Sequence, residues 1–204
     1  MNEEAARRWV LAQHDVSRGT SLDHYVAMVR DEANAQNLVS RATLDQLWFR
    51  HVMDSAQLLA LAEATPGPWL DVGSGAGFPG MVIAILSARA VALVEPRRKR
   101  ADFLQRVVDA LALHDRVTVH CARIEAVAAR AAVISARAVS ALPALLAATH
   151  HVARRDGLWL LPKGKTALEE VEAAQRSWHG VFHVEQSLTE PGSLIVVAKG
   201  VRPK

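Results

Sequence analysis

The residues best suited to chemistry fall in one run: Trp69-Leu70-Asp71-Val72-Gly73-Ser74-Gly75-Ala76-Gly77-Phe78-Pro79-Gly80. Gly73, Gly75 and Gly77 carry no Cβ, so a turn made from them can take positive φ and let a ligand approach the backbone. The spacing Gly75-x-Gly77-x-x-Gly80 also fits the dinucleotide fingerprint, so the glycines alone leave the ligand open. Asp71 separates the readings. A carboxylate there repels a pyrophosphate but tolerates or uses a ligand with a cationic centre. Glu95 follows the glycines by about twenty residues, where an acid can accept both hydroxyls of an adenosine ribose. Ile124 offers an apolar side chain for an adenine face. Glu125 offers a carboxylate for its amino edge, or serves as a helix-start acid. Arg137 can grip an anion or stack on a ring, or it can pair with an acid at the sheet edge.

These residues sit at the ends of predicted strands. Strands are expected at 69–72, 91–94, 117–120, 133–135 and 157–161, separated by helical patterns at 81–87, 98–111, 125–130 and 140–150. A helix at 166–178 precedes strands 181–186 and 194–199, which are close enough for a hairpin turning at Pro191-Gly192. This alternation predicts an α/β fold: a mostly parallel, doubly wound, Rossmann-like sheet of seven strands with a C-terminal antiparallel hairpin. Ligands of such sheets bind beyond the carboxyl ends of the strands, beside the first one. Residues 1–65 read as a helical N-terminal extension and 66–204 as the sheet domain. In the extension, Ser21 is a candidate cap for the second helix, and Thr43-Leu44-Asp45-Gln46 reads as a capping box.

The chain has 204 residues, half of them hydrophobic, and a net charge of +3. No apolar run reaches the ~20 residues that span a bilayer, and the charged start, Met1 to Arg8, lacks an export signal. A cytoplasmic monomer is the default expectation. The single cysteine, Cys121, excludes an internal disulfide and a cysteine-based zinc site, and it reads as a small buried residue. His150-His151 reads as a polar cap at a helix end. Arg97-Arg98-Lys99-Arg100 is the densest basic run, and Arg123, Lys163 and Lys165 stand near further strand ends. The apolar-Asp-apolar-Gly-x-Gly-x-Gly run resembles the first motif of class I S-adenosylmethionine-dependent methyltransferases; within that resemblance, the lack of an Asn-Pro-Pro-aromatic segment and of a Pro-Cys pair disfavours transfer to exocyclic amines or to cytosine C5. A guanine N7 has an in-plane lone pair and no proton. Its methylation needs alignment rather than a base, and arginines can supply that alignment through phosphates and stacking.

More of the chain resembles the ribosomal RNA small-subunit methyltransferase G family, also called glucose-inhibited division protein B. The matching segments are Asn37-Leu38-Val39-Ser40, Arg50-His51-x-x-Asp54-Ser55, Asp71 to Gly80, Glu95 with Lys99-Arg100 and Phe103-Leu104, Ser135-Ala136-Arg137-Ala138-Val139, and Leu161-Pro162-Lys163-Gly164.

The resemblance implies a methyltransferase sheet with a helical extension. It also implies S-adenosylmethionine as cofactor and N7 of a guanine in the decoding-region loop of bacterial 16S rRNA, in the small ribosomal subunit, as acceptor. Family cofactor positions carry over onto Gly73, Phe78, Ile124, Glu125 and Arg137, which join Asp71, Gly75, Gly77 and Glu95 as expected cofactor residues, with Arg137 positioning the reaction. Arg50, His51, Arg97, Arg98, Lys99, Arg100, Arg123, Lys163 and Lys165 are the expected RNA contacts. Asp54 and Ser55 either meet the substrate or anchor the extension against the glycine loop. Two other readings remain. A nicotinamide-dependent oxidoreductase is opposed by Asp71 and by the lack of a Tyr-x-x-x-Lys pair. A non-catalytic RNA-binding protein is opposed by the full set of strand-end residues.

Overall fold

Trp69–Val72 forms β1, with all four residues buried, in a computed structural model that describes residues 1–204. The other strands are β2 (Val91–Val94), β3 (Val117–His120), β4 (Ala131–Ala136), β5 (Ala153–Lys163), β6 (Trp178–Gln186) and β7 (Leu194–Pro203). They make one seven-stranded sheet in the order β3-β2-β1-β4-β5-β7-β6. The first five run parallel, and β7 lies antiparallel between β5 and β6. This is the predicted mostly parallel sheet with its C-terminal antiparallel hairpin. The order reverses between β1 and β4, which opens a crevice at their carboxyl ends. The register levels those ends: Val72 stands opposite Val94 and Ala136, and Val94 opposite His120. Gly73, Glu95, Cys121 and Arg137 therefore leave the sheet side by side.

The helices of the N-terminal extension are α1 (Glu3–Leu11), α2 (Val16–Glu32), α3 (Asp54–Ala56) and α4 (Leu58–Leu61). The sheet domain adds α5 (Gly80–Leu86), α6 (Arg98–Ala110), α7 (Leu142–Thr149) and α8 (Ala167–Gln175). One core cluster joins Trp69, Val91, Leu93 and Val133 of the sheet to α5, α6 and the extension. The other joins Leu70, Val72, Val94, Ile134 and Ala136 to α7 and α8. Alternate residues of β1 thus feed opposite layers, as strand pleating requires.

Several boundaries differ from the sequence reading. Asp15, not Ser21, caps α2, its carboxylate accepting the Arg18 N–H at 3.0 Å. The Thr43–Gln46 box does not start an α-helix. Arg41–Gln46 is a 3₁₀ turn, and Trp48–Met53 is wound with wider π-type spacing. The reason is a distant carboxylate: Glu3 accepts the N–H groups of Trp48 and Phe49 at 3.0 and 2.7 Å, restarting the helix there. The expected helix over 125–130 is only a 3₁₀ turn, Ile124–Ala126. Trp178 leaves its expected helix to begin β6.

Candidate active site

The three glycines after β1 have positive φ, +67° at Gly73, +57° at Gly75 and +107° at Gly77, but their surroundings differ. A Cβ on Gly75 would meet open space, its nearest neighbours being Arg100 Nη1 and the Gly73 carbonyl, both at 3.8 Å. A Cβ on Gly73 would lie 2.7 Å from Val139 Cγ2, so Val139 leans over the turn from the loop after β4. A Cβ on Gly77 would lie 2.7 Å from the Tyr25 hydroxyl and 2.9 Å from Met81 Cβ. The open space above Gly75 forms a cradle that could seat a ligand. Gly77 makes room for the extension, whose Tyr25 hydroxyl donates to the Ala76 carbonyl at 2.9 Å. Glu95, 3% exposed, is no surface acid. Its two oxygens accept the N–H groups of Gly75 and Arg97, each at 2.9 Å, binding the turn to the end of β2.

Asp71 faces away from the cradle. It is 1% exposed, its Oδ1 accepts the Ser135 hydroxyl at 2.6 Å, and that hydroxyl accepts the Trp69 indole N–H at 2.8 Å. Its Oδ2 is buried without a hydrogen-bond partner, close under the Gly80 backbone. Burial pushes this carboxyl up to about 6, with the Ser135 bond opposing. Asp71, expected among the cofactor residues as a carboxylate that a cationic ligand tolerates or uses, is sent by strand alternation with Trp69 into the α5 layer, beneath the turn.

Phe78 supplies a ring platform beside the turn. His51 stacks on it at 5.0 Å between centroids, Tyr25 tilts against it at 5.3 Å, and the Arg137 guanidinium lies 5.4 Å from its centre. Arg137 is the first residue after β4, and its neighbour Ala138 adopts φ +55°, a left-handed conformation unusual for alanine. Arg137 Nη1 lies 3.5 Å from Asp54 Oδ2 and donates to the Arg50 carbonyl at 3.3 Å. Burial lowers the Arg137 pKa and Asp54 opposes the shift; the side chain remains a guanidinium cation. Burial, helped by Arg137 and Arg50, pulls His51 down to about 3, so this imidazole is neutral.

Arg137 forms part of the wall of a polar cavity of about 730 Å³. Its other walls include Thr43, His51, Asp54, Ser140, Lys163 and Thr189. Several expected RNA contacts lie inside this wall instead of facing solvent. Arg50 pairs with Glu190, and His51 is held by Phe78 and by Thr43 Oγ1 at 3.0 Å. Lys163 donates to the Ser140 carbonyl at 2.7 Å and to Glu170 at 2.8 Å, bracing the loop after β4. Asp54 does not anchor the extension to the glycine loop, and Ser55 only donates to the His51 carbonyl at 2.6 Å. Tyr25 makes that anchor.

The basic residues of the outer rim face solvent. Arg97, Arg98 and Lys99 are exposed and Arg100 is half-buried. With Gln36 and Asn37 they border a cleft of about 370 Å³ next to the cradle. Arg123 and Lys165 are also exposed. Ile124 is buried and Glu125 exposed, at the end of β3 next to β2. Cys121 is exposed, contrary to expectation, because β3 is the sheet edge and the chain turns outward there. Gln57, Ser187 and Thr189 join the site without any motif to announce them.

The arrangement has a left side and a right side. On the left, open ground over Gly75, the inward carboxylate of Glu95 and the apolar Ile124 fit an adenosine-bearing ligand. On the right lies a polar cavity able to hold a planar, hydrogen-bonding group. Phe78 and Arg137 stand at the boundary.

Comparison with known proteins gives four further findings. A family model described as GidB, rRNA small subunit methyltransferase G, matches residues 18–195. The ribosomal RNA small subunit methyltransferase G of Rhizorhabdus wittichii is 45% identical over 209 residues, covering 100% of this chain and 95% of the relative. Among solved structures, a methyltransferase from Geobacter sulfurreducens superposes with a TM-score of 0.60 at 16% identity, covering 91% of this chain and 96% of its own. M. jannaschii TYW2 in complex with AdoMet gives 0.54 at 16% identity, covering 69% and 70%. At these identities the structures speak for the fold.

Proposed function

The chain belongs to the rRNA small subunit methyltransferase G family, and from that membership we infer that it methylates N7 of a guanine in the decoding-region loop of 16S rRNA. It is an S-adenosylmethionine-dependent rRNA methyltransferase. Bound over Gly75, the cofactor supplies an electrophilic methyl group on a sulfonium. Glu95 and Ile124 hold its adenosine end, with Glu125 at the rim. Phe78 and Arg137 orient its other end towards the cavity.

The observation that carries the reading is the place of Arg137: one guanidinium, fixed between the Phe78 ring that follows the glycine turn and Asp54, lines the cavity. A purine seated there is aligned without being deprotonated. This suits N7, which carries no proton. The one imidazole in the cavity wall, with a pKa near 3, is a poor proton acceptor for an exocyclic amine. The exposed Arg97, Lys99 and Arg123 grip phosphates, and one copy of the chain carries every residue invoked.

The test is methyl transfer to small subunits from a strain lacking the activity, followed by borohydride–aniline cleavage to map the modified base. A strand break at one decoding-region guanine is expected. Methyl incorporation with no aniline-labile site would reject N7 as acceptor.

A further inference from the structure

The segment joining β6 to β7 starts as buried structure, with Ser187 6% and Thr189 8% exposed. Both hydroxyls donate to one atom, Asp54 Oδ1, at 3.1 and 3.0 Å. Gln57 Nε2 donates to the same oxygen at 2.9 Å and to Ser187 Oγ at 3.0 Å. Gln57 Oε1 accepts the Leu188 N–H at 2.9 Å, so one amide side chain joins helix and turn in both directions. With three donors on Oδ1 the carboxylate cannot rotate, and Oδ2 is left facing Arg137 at 3.5 Å. A second line runs parallel: Glu190 pairs with Arg50, whose carbonyl accepts from Arg137.

We infer that the β6–β7 turn is a positioning device for Arg137, with Ser187 and Thr189 acting through Asp54. A wall that only packed would not need these groups, because burying polar side chains is unfavourable unless each is satisfied. Here the satisfied network leaves one directed valence, and it points at the guanidinium. The inference rests on the proposed methyl transfer and adds the residues that set its geometry.

The experiment measures kcat, the KM values for donor and subunit, and Tm. The variants are Ser187→Ala/Thr189→Val, Thr189→Val, Thr189→Ser and Asp54→Asn, each also built on Arg137→Ala. In the double variant kcat is expected to fall ~10-fold or more with the donor KM little changed, since small misplacements near reacting atoms are amplified. Thr189→Ser, which keeps the hydroxyl, should restore the rate lost in Thr189→Val. On the Arg137→Ala background none of these changes should lower kcat further, because the group they aim is gone.

A lowered Tm with unchanged kcat, or full additivity on the Arg137→Ala background, overturns the inference. If the double variant does not fold, Asp54→Asn decides. It keeps an oxygen for the three donors but turns an amide N–H towards Arg137, and a full rate in that variant rejects the proposal. Inactivity of the unaltered protein on subunits would instead reject the methyl-transfer reading, so the two failures are distinct.

Discussion

Gly75→Ala separates ligand binding from folding in a single atom. The new methyl group meets nothing closer than 3.8 Å, so it brings no steric cost to the free protein. What remains is the backbone: at φ +57° an alanine costs roughly 1–2 kcal/mol. In a chain of this size that lowers Tm by about 2–8 °C. The methyl group occupies the cradle, so the cofactor loses its seat. A ligand at one hundred times its dissociation constant stabilises by about 2.7 kcal/mol, or roughly 5–10 °C here. A thermal-shift titration with S-adenosylhomocysteine should show that rise in the unaltered protein and none in the variant. An equal rise in both would refute the placement of the ligand over Gly75. Gly77→Ala is the contrasting control. Its Cβ would press on Tyr25 and Met81 as well as strain the backbone, costing roughly 3–5 kcal/mol in the free protein.

Three further outcomes follow from the geometry. Asp71, raised to about 6 by burial, favours the folded state only while protonated, so its contribution is full below its unfolded value near 3.8 and is lost as pH rises through 6. Asp71→Asn mimics the protonated acid and should gain on the order of 3 kcal/mol against the parent between pH 4 and pH 7.5 in denaturant melts, whatever its constant offset; parallel stability curves would contradict this. His51 has the opposite sign: its proton affinity is depressed in the fold, so stability is lost as pH falls from 6.5 towards 3, and His51→Asn should flatten that acid limb, with an unchanged limb arguing against a buried neutral imidazole. In filter-binding titrations, Arg97→Ala and Lys99→Ala should each reduce the slope of log affinity against log salt by about one; an unaltered slope removes that rim from the RNA interface.

Much of this fold was legible because its signals are local. Trp69 to Gly80 announces strand, turn and helix within twelve residues, and the alternation of apolar segments gives the sheet its class. Candidate positions at strand ends followed from topology, and Glu95 and Arg137 lie where that logic puts them. What escaped is what depends on direction or distance. Whether Asp71 points into the cradle or beneath it turns on one alternation of the strand. Glu3 capping the helix at Trp48, and Asp54 meeting Ser187 and Thr189, join residues far apart in sequence, and no short-range spacing encodes such pairs. Cys121 reads as buried by composition and is exposed by virtue of an edge strand. The cationic types of Arg50 and Lys163 suggested phosphate contacts. Their acidic partners, Glu190 and Glu170, could be recognised only once the chain was folded.

The strand order has a consequence for how the molecule comes into being. β7 follows β6 in the chain yet occupies an interior place between β5 and β6. Until it arrives, the long flank of β5 has no neighbour, and open strand flanks invite association with other chains. The sheet therefore closes only when β7 enters between strands that precede it in the chain.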